Sequence, residues 1–128
     1  MINKDMFYFA DIDEKFITTT KNSEGLEDGV LVHCQQCIEK NLKAIIQIKY
    51  GKIEEEYNLV KLLEVLYLNG FPHLKKYKSL CRALKDFYFS RRYASEDYEV
   101  LTEEEYKEYI DSFYELLGEI KKIRSEFE

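Results

Sequence analysis

Five side chains that can hydrogen-bond or carry charge recur in the first half of the chain: His33, Gln36, Lys40, Lys43 and Gln47, set three, four, three and four residues apart. That spacing lines them up on one face of a helix. An imidazole, two amides and two ammonium groups on one ridge suit hydrogen bonds to a base or sugar and contact with a phosphate. Further on, Arg91-Arg92-Tyr93 sets two guanidinium forks beside an aromatic ring, a combination that binds phosphate and stacks on a base. Lys75, Lys78, Arg82 and Lys85 form a cationic row that suits either a phosphate or the solvated flank of a helix.

Other chemistries lack their residues. The sequence has no glycine-rich phosphate loop, no Gly-x-Ser-x-Gly elbow, no His-Glu-x-x-His pair and no set of carboxylates at metal-binding spacing. Cys34-x-x-Cys37 has half the spacing of a zinc site, but no second pair completes it and both residues fall in an apolar pattern. Core packing is the simpler reading, so neither a metal nor a cofactor is expected. The two histidines are His33 and His73, which leaves no histidine after His73 for acid–base chemistry. No catalytic residue is assigned.

Two apolar rows flank the polar ridge, Val30/Cys34/Cys37/Ala44/Ile48 and Leu31/Ile38/Leu42/Ile45. Together they cover more of the circumference than a surface helix needs, so this helix is central. It should run from about Leu26 to Tyr50, about 36 Å at 1.5 Å per residue, and end at Gly51 as a C-cap. Before it, Met6, Phe9, Ile12, Phe16 and Thr19 give a first helix over about Asn3 to Thr20, and Lys21 to Gly25 reverse the chain. After it, Asn58 caps a short helix carrying Leu59, Leu62, Leu63 and Leu66. Pro72 opens a fourth helix through Leu74, Tyr77, Cys81, Leu84 and either Phe87 or Tyr88, and Ser90 to Leu101 reads as a loop. Thr102 and Glu105 form a capping box for a last helix that runs nearly to the C-terminus.

Length and composition agree with this reading. The chain has 128 residues, one proline and five glycines, which favours long helices and one domain over residues 1–128. The fold class is all-α, an antiparallel up-and-down bundle of four long helices and one short one. A net charge of -6 argues against a protein that coats nucleic acid by bulk electrostatics, although residues 73–92 hold seven basic groups and one acid. The N-terminus lacks the layout of a signal peptide and no apolar run approaches the length of a membrane span, so no membrane association and a cytoplasmic location are expected.

The residues His33-x-x-Gln36-x-x-Glu39-Lys40-x-Leu42-Lys43-Ala44, with Gln35 beside Gln36, resemble the second-helix signature of HEPN domains (higher eukaryotes and prokaryotes nucleotide-binding). Leu59-Val60-x-Leu62-Leu63 and Phe87-Tyr88-x-Ser90-Arg91-Arg92-Tyr93 fall where that family has similar segments. The resemblance implies a small helical bundle, commonly a homodimer. Many members are metal-independent ribonucleases with an Arg followed four to six residues later by a His. Here no His follows Arg91 or Arg92, and Tyr57-Asn58 stands where relatives often have Thr-His-Asp. What the resemblance then implies is a non-catalytic nucleotide-binding module acting with a separately encoded minimal nucleotidyltransferase, in a toxin–antitoxin-like pair. Its nucleotide-binding residues would be His33, Gln36, Lys40, Lys43, Arg91, Arg92 and Tyr93. The alternatives are a ribonuclease or toxin with a degenerate site, cleaving RNA through Arg92 and a substitute for the histidine, and a purely structural homodimer.

Overall fold

The expected helices form where the capping residues place them. The computed structural model describes residues 2–51, 58–92 and 101–127, and the side chains of 6–51, 58–87 and 101–127 among them. Five α-helices follow in order: α1 (Ile2–Thr20), α2 (Glu27–Tyr50), α3 (Leu59–Tyr67), α4 (Lys78–Arg92) and α5 (Glu103–Ser125). No strand occurs among the described residues. Gly51 ends α2 in the left-handed region at φ 67°, with its N–H donating to the Gln47 carbonyl. The Asn58 side chain accepts from the Val60 and Lys61 amides. At α5 both halves of the capping box are made: Glu105 N–H donates to Thr102 Oγ1 at 3.1 Å and Thr102 N–H to Glu105 Oε1 at 3.2 Å.

Two boundaries differ from the sequence reading. Pro72 opens a 3₁₀ segment, Pro72–Tyr77, and the α-helical winding begins only at Lys78. The helix then continues through Ser90 to Arg92, into the stretch read as loop, while residues 93–100 of that stretch lie outside the described residues.

The central position of α2 is borne out, since α1, α3, α4 and α5 all pack against it. Val30, Leu31, Cys34, Cys37, Ile38, Leu42, Ala44 and Ile45 are fully buried, as the two apolar rows require, whereas Ile48 near the helix end is only half-buried and Ile46, outside both rows, is fully buried. Leu59, Leu62, Leu63 and Leu66 from α3, Cys81 and Leu84 from α4, and Phe113, Leu116 and Ile120 from α5 complete the core. At about 25 cal/mol per Å² this burial is the main favourable term in folding.

Helix α1 is turned differently from what its aromatic stripe suggests. The face it buries is Ala10, Asp13 and Ile17, whereas Phe9, Ile12 and Phe16 are exposed. Polar pairing supplies the reason. Asp13 points into α2, and Asp11 takes both guanidinium nitrogens of Arg124 from α5, Nη1 at 2.7 Å and Nη2 at 3.2 Å. Arg124 is itself buried, donates also to Asn41 Oδ1 at 3.2 Å, and lies 4.3 Å from the Phe7 ring centroid. The fully buried Asn41 amide donates to the Cys37 carbonyl at 2.9 Å. Turning the stripe inward would take Asp11 away from Arg124 and Asp13 away from Lys40 and His33, at a cost of several kcal/mol.

Arg124→Met should therefore destabilise the fold by about 2 to 4 kcal/mol in urea denaturation, since Asn41 Oδ1 loses its donor in a dry site. Asp11→Asn, at a half-exposed position, should cost less than about 1 kcal/mol.

Candidate functional site

The polar ridge of α2 lies beside α1, and carboxylates of the same chain meet it. Asp13, almost wholly buried, accepts from Lys40 Nζ at 2.7 Å through Oδ2 and pairs with His33 Nδ1 at 2.9 Å through Oδ1. A carboxylate only accepts, so the ring presents Nδ1–H to it and keeps Nε2 for other partners. Phe16 covers the imidazole, with ring centroids 3.9 Å apart. One turn along, Gln36 Nε2 donates to Gln35 Oε1 at 2.7 Å and Gln35 Nε2 donates to Glu39 Oε1 at 2.9 Å. Glu39 Oε2 lies 3.1 Å from Lys43 Nζ. Gln35 and Glu39 are buried, so the relay sits half inside the core.

The structure thus brings His33 and Lys40 together on Asp13, and joins Gln36 to Lys43 through Gln35 and Glu39. Lys40 and Lys43 each face a carboxylate, so the row carries little net charge despite its two ammonium groups. Hydrogen-bonding groups held in fixed orientation are what it offers a ligand. Side-chain exposure falls along it, from 35% at His33 to 26% at Lys40 and 13% at Lys43, so its His33 end is the more accessible. Arg91 and Arg92 end α4 in backbone, their side chains lie outside the described residues, and so does Tyr93.

Sequence reasoning missed Asp13, the residue that holds two members of the row. It lies in the Met6-to-Thr19 segment, between two apolar residues of the stripe rather than in it, and only its reach to α2 reveals it. Glu39 stands in the quoted motif, but its burial and its bond to Gln35 are visible only in the fold. Elsewhere, the cationic row of α4 is partly engaged: Lys78 lies 3.6 Å from Glu64 and Lys85 3.7 Å from Asp86. His73 is 3.5 Å from Glu119. A separate cleft of about 420 Å³ opens between the 3₁₀–α4 region and α5, lined by Lys76, Tyr77, Leu80, Glu108, Tyr109 and Glu115. None of the row's residues lines it.

Cys34, Cys37 and Cys81 are free and buried. Burial pushes the Cys34 thiol well up, and pushes Cys37 and Cys81 from 9.0 up to about 12. Tyr106 is also pushed up by burial, from 10.0 to about 12, and its hydroxyl donates to the Lys21 carbonyl at 2.8 Å. Among the described residues no three His, Cys, Asp or Glu side chains gather as a metal ion would need.

The HEPN domain family model matches residues 18–123, which takes in α2, α3, α4 and nearly all of α5. The chain belongs to the HEPN domain family. Comparison with curated proteins and with solved structures finds no match. As a HEPN domain the chain is a helical module of the nucleotide-binding or ribonuclease-like kind, and the α2 row is part of the matched segment. No helix among the described residues is long and apolar enough to cross a membrane.

Two measurements follow from the buried groups. Asp13→Asn should cost about 2 kcal/mol in chemical denaturation, because a charged acceptor shared by Lys40 and His33 becomes a neutral amide. The three thiols should resist a thiol reagent at pH 8 in the native protein and react on unfolding. Since the folded values of Cys37, Cys81 and Tyr106 exceed those of the unfolded chain, the stability they contribute is complete below about pH 9. It falls as pH rises toward 12, and an alkaline denaturation series reads this directly.

Proposed function

We propose that this HEPN domain is a non-catalytic nucleotide-binding module that acts with a separately encoded minimal nucleotidyltransferase, in a toxin–antitoxin-like pair in the cytoplasm. The observation that carries the reading is the α2 row held in a fixed arrangement by Asp13 and Glu39 within the matched segment. Its small net charge favours recognition of base and ribose by hydrogen bonds, with His33 Nε2 and the Gln36 amide as the reading groups. Lys40 and Lys43 position these groups and extend the polar surface toward the phosphate side. Phosphates are met by Arg91 and Arg92 at the end of α4, and Tyr93 stacks on the base.

The non-catalytic part rests on the sequence. With His33 and His73 the chain's two histidines, the Arg-to-His spacing of HEPN ribonucleases has no counterpart after Arg91 or Arg92. Incubation with total RNA should leave it intact, and cleavage lost in Arg92→Ala would instead favour the ribonuclease reading.

Calorimetric titration with the common ribonucleotides should give saturable heat for at least one of them. A Gln36→Ala/Arg92→Ala double variant should bind it at least tenfold more weakly, since the lost Arg92–phosphate contact is worth about 1.5 to 3 kcal/mol and the lost Gln36 hydrogen bond about 0.5 to 1.5 kcal/mol. No heat from any nucleotide, or unchanged affinity in the variant, overturns the proposal. Co-purification with a nucleotidyltransferase checks the partner separately.

A further inference from the structure

The α2 row has a direction as well as a composition. Glu39 is a carboxylate that accepts and does not donate, so Gln35 turns its amide nitrogen toward Glu39 Oε1, at 2.9 Å. The Gln35 oxygen then faces Gln36, which answers with its own nitrogen at 2.7 Å. Gln36 keeps its oxygen and one amide hydrogen for a ligand. At the other end Asp13 orients the imidazole in the same way. Its Oδ2 takes Lys40 Nζ and its Oδ1 faces His33 Nδ1, so Nδ1 carries the ring hydrogen and Nε2 a lone pair. Among the described residues nothing donates to His33 Nε2 or Gln36 Oε1, and both side chains are only half-buried. This turn of the helix therefore offers two acceptors, His33 Nε2 and Gln36 Oε1, and one donor, the second Gln36 N–H.

We infer that this turn selects a nucleobase with an exocyclic amino group beside a bare ring nitrogen, adenine or cytosine, and rejects the keto bases. The selection rests on the nucleotide-binding function and gives its base preference. An amino nitrogen whose two hydrogens diverge by about 120° holds two acceptors at about 2.9 Å, which sets them about 5 Å apart. Residues three apart on a helix have Cβ atoms about 5–6 Å apart, so His33 and Gln36 suit one amino group between them. The adjacent ring nitrogen accepts from the Gln36 N–H, which completes the pairing by which a glutamine reads adenine.

A keto base meets the same groups with the wrong sign. On the pairing edge of uracil or hypoxanthine a carbonyl oxygen replaces the amino group and an N–H replaces the bare nitrogen. Oxygen then faces two lone pairs, and N–H faces N–H. The row cannot turn over to suit it. A reversed Gln36 sets its oxygen against that of Gln35, and a reversed Gln35 sets its oxygen against Glu39. A ring hydrogen moved to Nε2 leaves the Nδ1 lone pair against Asp13. Each reversal leaves a buried or half-buried acceptor unpaired. Asp13 and Glu39, which touch no ligand, are thus positioning residues that set what His33 and Gln36 can read.

The test uses two ligand pairs that differ at this edge, cytidine with uridine monophosphate and adenosine with inosine monophosphate, titrated into the full chain by calorimetry at pH 8. The amino member of each pair should bind at least about tenfold more tightly. Gln36→Leu should bring the two members of each pair together. In Asp13→Asn the new amide turns its oxygen to Lys40, which only donates, and its nitrogen to His33 Nδ1, so the ring hydrogen moves to Nε2 and the amino preference falls at least about fivefold. Long-range proton–nitrogen spectra of the imidazole, with no nucleotide present, should show Nδ1–H in the native chain. Equal or reversed affinities within a pair, an unchanged preference in Gln36→Leu or in folded Asp13→Asn, or Nε2–H in the native chain overturns the base selection and leaves nucleotide binding standing. No heat from any of the four removes both. The native titrations and the native spectrum decide the matter even where a variant fails to fold.

Discussion

One buried carboxylate sets the orientation of the first helix and, through it, the candidate site. Asp13 is taken out of water, which is costly for a charge unless cations and donors meet it, and Lys40 and His33 do so from α2. Because both partners lie on one helix, seven residues apart, they fix the rotation of α1 about its own axis as well as its height along α2. Burying Phe9, Ile12 and Phe16 instead would bring more apolar area indoors, yet it would strand Asp13 and Arg124. Polar pairing outweighs apolar area at this helix, and the aromatic ridge is the result.

The same pairing explains why the fold was largely legible in the sequence and the site only in part. Helix α2 announces itself by two apolar rows that need no knowledge of partners, and Gly51, Asn58, Thr102 and Glu105 mark boundaries through local chemistry. Rotation of α1 is not a local property. Two faces of that helix compete, one aromatic and one carrying Ala10, Asp13 and Ile17, and the outcome depends on side chains from α2 and α5 that are distant in sequence. The polar ridge of α2 was readable as a row of residue types. That Asp13 and Glu39 neutralise its lysines was not, because a helical wheel of α2 does not contain α1 and does not tell which carboxylate turns inward. The 3₁₀ winding at Pro72–Tyr77 escaped for a similar reason, since the apolar spacing of Leu74 and Tyr77 fits either winding.

Charge in this HEPN domain is divided between the helices. The α2 row is rich in donors but close to neutral, whereas the 3₁₀ segment and α4 keep a cationic flank whose pairs to Glu64 and Asp86 are long and solvated. Oriented hydrogen-bonding groups and solvated positive charge thus sit on different elements. A row neutralised within the chain resists screening by salt, whereas the α4 flank responds to it.

The clamp between Asp11 and Arg124 spans 113 residues of sequence. The α1–α2 hairpin is local and can form as soon as its own residues have been synthesised, but its outer clamp waits for the far end of α5. Until then Asn41 lacks one of its buried partners, and the hairpin is a looser object than it becomes in the finished fold. Its closure consolidates a helix pair made earlier in synthesis, so the order of synthesis and the order of consolidation run in opposite directions.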